Sequence, residues 1–143
     1  MKTKAMLCVV AISALAGCEG MGVVKAAGCG ANCGIEVVVT ATATDCQITK
    51  PGKNDEYRIA DGAVTDIKWT LTAPQGYDFA EPDGIWFPSP PSSTFFRKIA
   101  PNRQQFIYED KNDRPVAKGT HVYHIKVEKG AITCKLDPTV VNE

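Results

Sequence analysis

Residues 119–141, GTHVYHIKVEKGAITCKLDPTVV, decide the fold of this chain. Two β-rich runs are joined by a short polar loop that ends in glycine, which indicates a β-hairpin. Alternate side chains of a strand share a face. The apolar residues that share a face are Tyr123, Ile125 and Val127 in the first run, and Ile132, Cys134 and Leu136 in the second. A hairpin with one apolar face needs a cover, and we interpret the rest of the domain as that cover.

The other β-rich runs predict an antiparallel sandwich around this hairpin. The cleanest alternation lies in residues 65–72, where Ile67, Trp69 and Leu71 would face inward. Further predicted strands cover residues 35–44, 77–79, 85–87 and 104–109, and we find no helix with a 3.6-residue apolar period. About seven short strands spaced by turn signals predict an all-β fold, an antiparallel immunoglobulin-like β-sandwich.

Two local features complete the prediction of strands. Cys46 and Ile48 have the wrong parity for the apolar face of residues 35–44, so we expect a bulge or bend near Thr44 and Asp45 to turn them inward. Residues 109–115 are polar and predict a turn that leads into the hairpin.

Composition excludes a nucleic-acid surface as the main function. Formal net charge is zero, and the 16 basic residues include Lys2 and Lys4, whose removal with the N-terminal segment leaves 14. No basic cluster is present in the sequence, so we expect no nucleic-acid partner. No apolar run after residue 17 is long enough to span a bilayer.

The start of the chain has the pattern of a bacterial export signal. Residues 1–4 are basic and residues 5–15 are apolar but too short to span a membrane. The following Leu15-Ala16-Gly17-Cys18 resembles the lipobox of bacterial lipoproteins. That resemblance implies a signal peptide at residues 1–17 and lipid on Cys18, which would anchor the protein in a membrane. Ordinary secretion is the alternative, since residues 14–16 also fit a small-x-small cleavage site.

The segment after the lipobox is rich in glycine and alanine without alternation, which is typical of a tether. We therefore predict a tether at residues 18–34 and a β-sandwich domain at residues 35–143. The expected location is the cell envelope, as a membrane-anchored lipoprotein facing the periplasm. A secreted or soluble periplasmic protein is the alternative.

Cysteine arithmetic favours structural disulfides. Cys8 leaves with the signal and Cys18 would be lipidated, so four cysteines remain in an oxidising compartment. Four cysteines allow three pairings, of which we favour Cys46–Cys134 together with a small local loop, Cys29–Cys33. The long loop would stabilise the fold by roughly 4 kcal/mol in the chain-entropy model. The three-residue spacing of Cys29 and Cys33 differs from that of thioredoxin-like or zinc-binding pairs.

Two resemblances refine the expected fold. Residues 113–127 resemble the strand leading out of the tyrosine corner of immunoglobulin-like domains, with Tyr123 as the corner residue. This implies that the Tyr123 hydroxyl bonds an upstream backbone group, although no cysteine follows two residues later, where Ile125 stands. The chain also resembles small bacterial sandwich domains that close on Asp-Pro, grouped as DP-EP proteins, through Asp137-Pro138 and Glu81-Pro82. The DP-EP resemblance brings no known activity.

Candidate catalytic and metal-binding residues are few. His121 and His124 are three positions apart on one run, so their side chains should point to opposite faces and not share a metal. Residues 109–113 carry oxygen ligands but lack the glycine of an EF-hand loop. After the signal, serine occurs only at positions 89, 92 and 93, without a Gly-x-Ser-x-Gly motif. We expect no metal, no cofactor and no catalysis.

A proline-rich loop at residues 88–93 is bracketed by four aromatic residues, which are Trp86, Phe87, Phe95 and Phe96. An exposed patch of this kind would be a binding site, because monomers seldom expose large apolar patches. In the alternative interpretation Phe87 and Phe95 fill one end of the core.

The leading prediction is a cell-envelope lipoprotein whose domain binds a protein or another envelope component without catalysis. The alternative is a periplasmic hydrolase or metal-dependent enzyme, and a purely structural role is a third possibility. A polar pocket assembled from separate strands would favour the enzyme.

Overall fold

The computed structural model describes residues 28–29, 32–52, 55–88, 94–113 and 115–143. These residues form an all-β domain, as the alternating runs predict. The strands are β1 (Gly28–Cys29), β2 (Asn32–Ala41), β3 (Cys46–Lys50), β4 (Glu56–Ile59), β5 (Ala63–Thr72), β6 (Asp78–Phe79), β7 (Ile85–Trp86), β8 (Phe95–Lys98), β9 (Gln105–Asn112), β10 (Gly119–Val122), β11 (His124–Lys129), β12 (Ile132–Leu136) and β13 (Thr139–Asn142). A short 3-10 helix spans Pro115–Ala117.

The strands form three sheets. Sheet A has the order β1-β4-β13-β10, sheet B the order β3-β2-β5-β9-β8, and sheet C the order β12-β11-β6, with β7 also on β11. The inner face of sheet B packs against sheet C through aromatic pairs such as Phe79 and Phe106, whose ring centroids are 5.6 Å apart. Sheet B meets sheet A through a side-chain hydrogen bond of 3.0 Å from Asn142 to Asp110. One core therefore lies between sheet B and the other two sheets.

The hairpin that decides the fold is present as β11 and β12. The two strands pair antiparallel from Ile125↔Leu136 to Lys129↔Ile132, and Gly130 takes a positive φ of 57° in the turn. Glycine adopts this conformation without a Cβ penalty. Tyr123, Ile125 and Val127 are fully buried, as their parity predicts.

Each predicted run of the hairpin region divides between two sheets. The first passes from β10 in sheet A to β11 in sheet C at Tyr123, and the second from β12 to β13 at Asp137 and Pro138. A hydrogen bond of 3.0 Å from the Tyr123 amide to the Pro138 carbonyl joins the two crossing points. Proline lacks an amide donor and so ends the pairing of β12. These divisions give more and shorter strands than the predicted seven.

The expectation of a wholly antiparallel fold is wrong. Strand β2 pairs parallel with β5, and β4 pairs parallel with both β1 and β13. The chain leaves β2 through the β3 hairpin, crosses to sheet A as β4, and returns to sheet B as β5 in the direction of β2. Alternation of side chains reports which face is buried but carries no information on strand direction.

Three boundaries differ from the sequence predictions. The described part of the predicted tether is strand, since β1 and the start of β2 precede residue 35. The first long strand ends at Ala41 and not at Thr44, and the bend expected near Thr44 and Asp45 is present as a chain reversal at residues 42–45, where the Thr42 amide donates to the Asp45 carbonyl at 2.8 Å. Cys46 and Ile48 therefore lie on the antiparallel strand β3, where Ile48 is buried as expected. Strand β9 continues to Asn112, where we expected a polar turn from residue 109 onward.

The structure contains disulfides between Cys46 and Cys134 and between Cys29 and Cys33, with Cα–Cα distances of 5.6 and 4.9 Å. The first joins β3 at the edge of sheet B to β12 of sheet C. It therefore links the two faces of the core covalently. The second lies between β1 and β2 and ties the first described strand to the domain.

Candidate functional site

The four aromatic residues around the proline loop do not form one exposed patch. Phe87 and Phe95 are buried and stack on each other, with ring centroids 3.9 Å apart and an interplanar angle of 6°. Their contact closes the base of the loop and extends the core, as the alternative interpretation expected. Residues 89–93 lie outside the described residues, so the loop itself has no structural account.

Trp86 and Phe96 lie on opposite outer faces of the domain. Trp86 stands opposite His124 in the β7–β11 pairing, on the face of sheet C away from the buried Ile125. Phe96 stands opposite Glu109 on the outer face of sheet B, and the Lys111 ammonium lies 4.7 Å from the centre of its ring. A single partner surface can therefore include one of these two residues but not both.

The Trp86 side forms the more organised surface. The Trp86 indole and the His124 imidazole stack with ring centroids 4.6 Å apart and an interplanar angle of 29°. The Nδ1 atom of His124 lies 2.5 Å from a carboxylate oxygen of Asp137. We call these three residues the Trp86 cluster.

Three separate elements position the Trp86 cluster. Trp86 ends β7, His124 begins β11, and Asp137 follows β12. The ring of His124 is held on one side by stacking and at one nitrogen by the carboxylate, so its orientation is fixed. The side chains of His124 and Asp137 are 25% and 57% exposed, which leaves the cluster accessible to another molecule.

The two histidines lie in different surroundings. His121 belongs to β10 of sheet A, its Nε2 atom is 2.8 Å from the Ala117 carbonyl oxygen, and its ring contacts the edge of Phe95. His124 belongs to β11 and faces outward. Within the described ranges, no three His, Cys, Asp or Glu side chains gather as metal ligands. The acidic residues Glu109 and Asp110 likewise point to opposite faces of β9, toward Lys98 and Asn142 respectively.

A cleft of about 440 Å³ opens beside the edge strand β8, and it gathers polar side chains from separate elements. It is lined by Glu81, Arg97, Lys98, Ile99, Ala100, Asn102 and Arg103. Its cations are already paired: Arg97 with Glu81 at 3.0 Å, Lys98 with Asp66 at 2.6 Å and Arg103 with Glu128 at 3.2 Å. An anionic ligand would have to displace these carboxylates, so the cleft is poorly suited to bind an anion.

The Arg97 guanidinium connects this cleft to the Glu81-Pro82 dipeptide. It donates to the Pro82 carbonyl at 2.7 Å and to the Glu81 carboxylate at 3.0 Å, while lying 4.4 Å from the centre of the Phe106 ring. The planar guanidinium of arginine carries several N–H donors, so it can donate to two acceptors at once. The dipeptide is thereby fixed to β8.

Tyr123 is buried as the resemblance to a tyrosine corner implies, but its hydroxyl bonds no upstream backbone group among the described residues. The hydroxyl has no hydrogen-bond partner among the described residues, and burial raises the pKa of the phenol. The ring packs against Trp69, with centroids 5.2 Å apart. Tyr123 therefore acts as a core aromatic residue at the crossing between sheets A and C.

No family model matches this chain, and no curated protein matches it. Among the described residues no helix is long and apolar enough to cross a membrane.

Proposed function

We propose that the chain is a cell-envelope lipoprotein whose β domain binds a protein or another envelope component through the Trp86 cluster. The observation that supports this most is the stacked indole and imidazole, oriented by Asp137 on an accessible face. Rigid aromatic side chains with polar atoms at their rims are typical of binding hot spots, because they lose little entropy on binding.

The proposed fold is an immunoglobulin-like sandwich in which sheet B forms one layer and sheets A and C together form the other. The shared core between these layers supports it. The parallel pairings, and a Tyr123 hydroxyl without a hydrogen-bond partner among the described residues, depart from the family pattern. The DP-EP resemblance stays part of this proposal, since both of its dipeptides are held by side chains from other strands, His124 and Arg97.

The lipid anchor rests on the sequence, because Cys18 and the signal at residues 1–17 lie outside the described residues. We expect Cys18→Ser to release the protein from membranes into the soluble fraction, since the thioether that carries the lipid cannot form. Fractionation of cells followed by immunoblotting measures this. Unchanged retention of the variant in the membrane fraction would count against lipidation.

The binding surface can be tested by site-specific photocrosslinking in intact cells. A photoreactive residue replaces Trp86 in one version of the full chain and Phe96 in a matched version, because these two residues lie on opposite outer faces. We expect a crosslinked product, identified by mass spectrometry, at position 86 and none at position 96. Products only at position 96, or at neither position, contradict the proposal.

The pairing of His124 with Asp137 also favours a second candidate, a hydrolase in which His124 acts as a general base. A carboxylate that orients an imidazole through Nδ1 is the arrangement of many such bases. The serines at positions 89, 92 and 93 lie in the loop that follows Trp86, outside the described residues. Hydrolysis of a chromogenic ester that is lost in both His124→Ala and Asp137→Asn would favour this candidate over binding alone.

A further inference from the structure

A carboxyl group is buried between sheets A and B. Asp110 is fully buried, and one of its oxygens accepts a hydrogen bond of 3.0 Å from the Asn142 side chain on β13. Its other oxygen has no partner among the described residues. Leaving a buried carboxylate with a single donor is unfavourable, because hydrogen bonds replace only part of the lost hydration.

The described side chains around Asp110 are both polar and apolar. Across the sheet it stands opposite Thr65 on β5 and Phe95 on β8. Two residues along β9, the Asn112 side chain donates to the carbonyl oxygens of Ile59, which ends β4, and of Ala60, which follows it, at 3.0 and 2.9 Å, and to the backbone oxygen of Glu143 at 3.3 Å. Asn112 and Asn142 therefore form the polar contact between the two sheets together with Asp110.

No cation compensates the carboxylate from the elements packed against it, as far as the structure describes them. The charged neighbours on its own strand, Glu109 and Lys111, are ion-paired with each other on the outer face of sheet B. The titratable or charged side chains that face the core from surrounding strands are Tyr57 of β4, Arg97 of β8, Tyr108 of β9 and His121 of β10. Arg97 is engaged with Glu81, and His121 with the Ala117 carbonyl.

We propose that proton binding by Asp110 controls how firmly β13, and with it sheet A, is held against sheet B. In the neutral acid the buried group carries no charge and keeps its bond with Asn142. After ionisation the same position holds a charge with one donor, and the contact between the sheets is weakened.

The direction of the pH dependence follows from burial. Burial raises the pKa of Asp110 to about 7 against the lowering effect of the Asn142 hydrogen bond. An unfolded chain has an ordinary aspartate pKa of about 4. Between these two pKa values the folded state binds more protons than the unfolded state. The contribution of Asp110 to the free energy of unfolding is therefore fully present below about pH 4 and is lost as the pH rises to about 7.

Sheet A is connected directly to the Trp86 cluster. Strand β10 leads through Tyr123 to His124, and Asp137 is followed by Pro138 and then β13. Loosening of β10 and β13 would therefore reach both polar members of the cluster. This consequence for binding rests on the proposed function, whereas the control of sheet A by Asp110 does not.

Hydrogen exchange of the full chain in detergent, followed by mass spectrometry at about pH 5 and about pH 8, tests the proposal without any partner. After correction for intrinsic exchange, we expect the protection of β10 and β13 to fall by about tenfold or more at the higher pH. Asp110→Asn should remove most of this difference. The matched control is Glu109→Gln, which replaces the neighbouring carboxylate on the outer face and should retain the difference.

An equal pH dependence in Asp110→Asn and in the wild type would overturn the proposal. A measurement that needs no variant is the carbon-13 shift of the Asp110 carboxyl in a pH titration. A transition near pH 7 supports the proposal, and a transition near pH 4 overturns it.

Discussion

The two ends of the β5–β9 ladder hold the sheets together in different ways. At one end Trp69 stands opposite Phe106, and both are buried in a cluster of aromatic rings. At the other end Thr65 stands opposite Asp110, and the contact with sheet A passes through amide and carboxyl groups. The same pair of strands thus supports an apolar contact and a polar contact.

The difference lies in what each end depends on. Apolar burial stabilises by roughly 25 cal/mol per Å² and does not change with protonation. The polar end has few hydrogen bonds, and oxygens of Asp110, Asn112 and Asn142 lack partners among the described residues. Such groups contribute little net stability, and their hydrogen bonds change in strength when Asp110 gains or loses a proton. We therefore expect the aromatic end to provide most of the free energy of unfolding and the polar end to make that free energy depend on pH.

The largest expected effect is at the aromatic end. Trp69→Ala removes a fully buried indole that contacts Tyr123 and Tyr108, with ring centroids 5.2 and 6.0 Å away. We expect a loss of about 3–5 kcal/mol in the free energy of unfolding, from lost burial and the cavity left behind. Urea unfolding measures it, and Trp69→Phe gives a milder variant if the alanine variant does not fold.

The chain offers a matched control for that substitution. Trp86 is only partly buried, on the outer face of sheet C, so Trp86→Ala should cost much less. Equal losses in the two variants would mean that the aromatic end is not the main source of stability.

A smaller effect is expected from adding one carbon at the same end. A Cβ at Gly84 would lie 2.7 Å from the Phe79 Cβ and 2.8 Å from both the Ala80 carbonyl oxygen and Cε2 of Phe106, so Gly84→Ala forces the backbone or these side chains to shift. We expect a loss of about 1–3 kcal/mol, measured by urea unfolding. Gly34→Ala is the control, because nothing lies within 4 Å of a Cβ at that position. If Gly84→Ala is as harmless as the control, this end is less closely packed than the distances indicate.

The aromatic end was predictable from the sequence and the strand directions were not. The alternation around Trp69 and around Ile125 predicts the buried faces, because parity depends only on local backbone geometry. The parallel pairing of β2 with β5 depends on where the chain crosses between sheets. That choice is decided by packing of distant segments, which no local pattern reports.

The polar end and the Trp86 cluster were missed for different reasons. Asp110 and Asn112 continue the parity of Phe106 and Tyr108, so a predicted strand extended to Asn112 would have placed both side chains inward. The run of polar residues from residue 109 onward suggested a turn instead. The contact of Trp86 with His124 depends on the register between β7 and β11, which lie far apart in the sequence. No signal in the sequence carries that register.

The smallest expected effect is at the polar end, where Asn142→Ala removes the donor to Asp110. We expect a loss of about 1 kcal/mol at about pH 5 and about 2 kcal/mol at about pH 8, because hydrogen bonds to charged groups are stronger than those to neutral groups. Urea unfolding at both pH values measures the difference, with the exposed Asn32→Ala as control. A loss that is larger in acid would mean that Asn142 supports the neutral acid more than the carboxylate, whereas an equal loss at both pH values would mean that the two ends of the ladder differ in polarity but not in their response to pH.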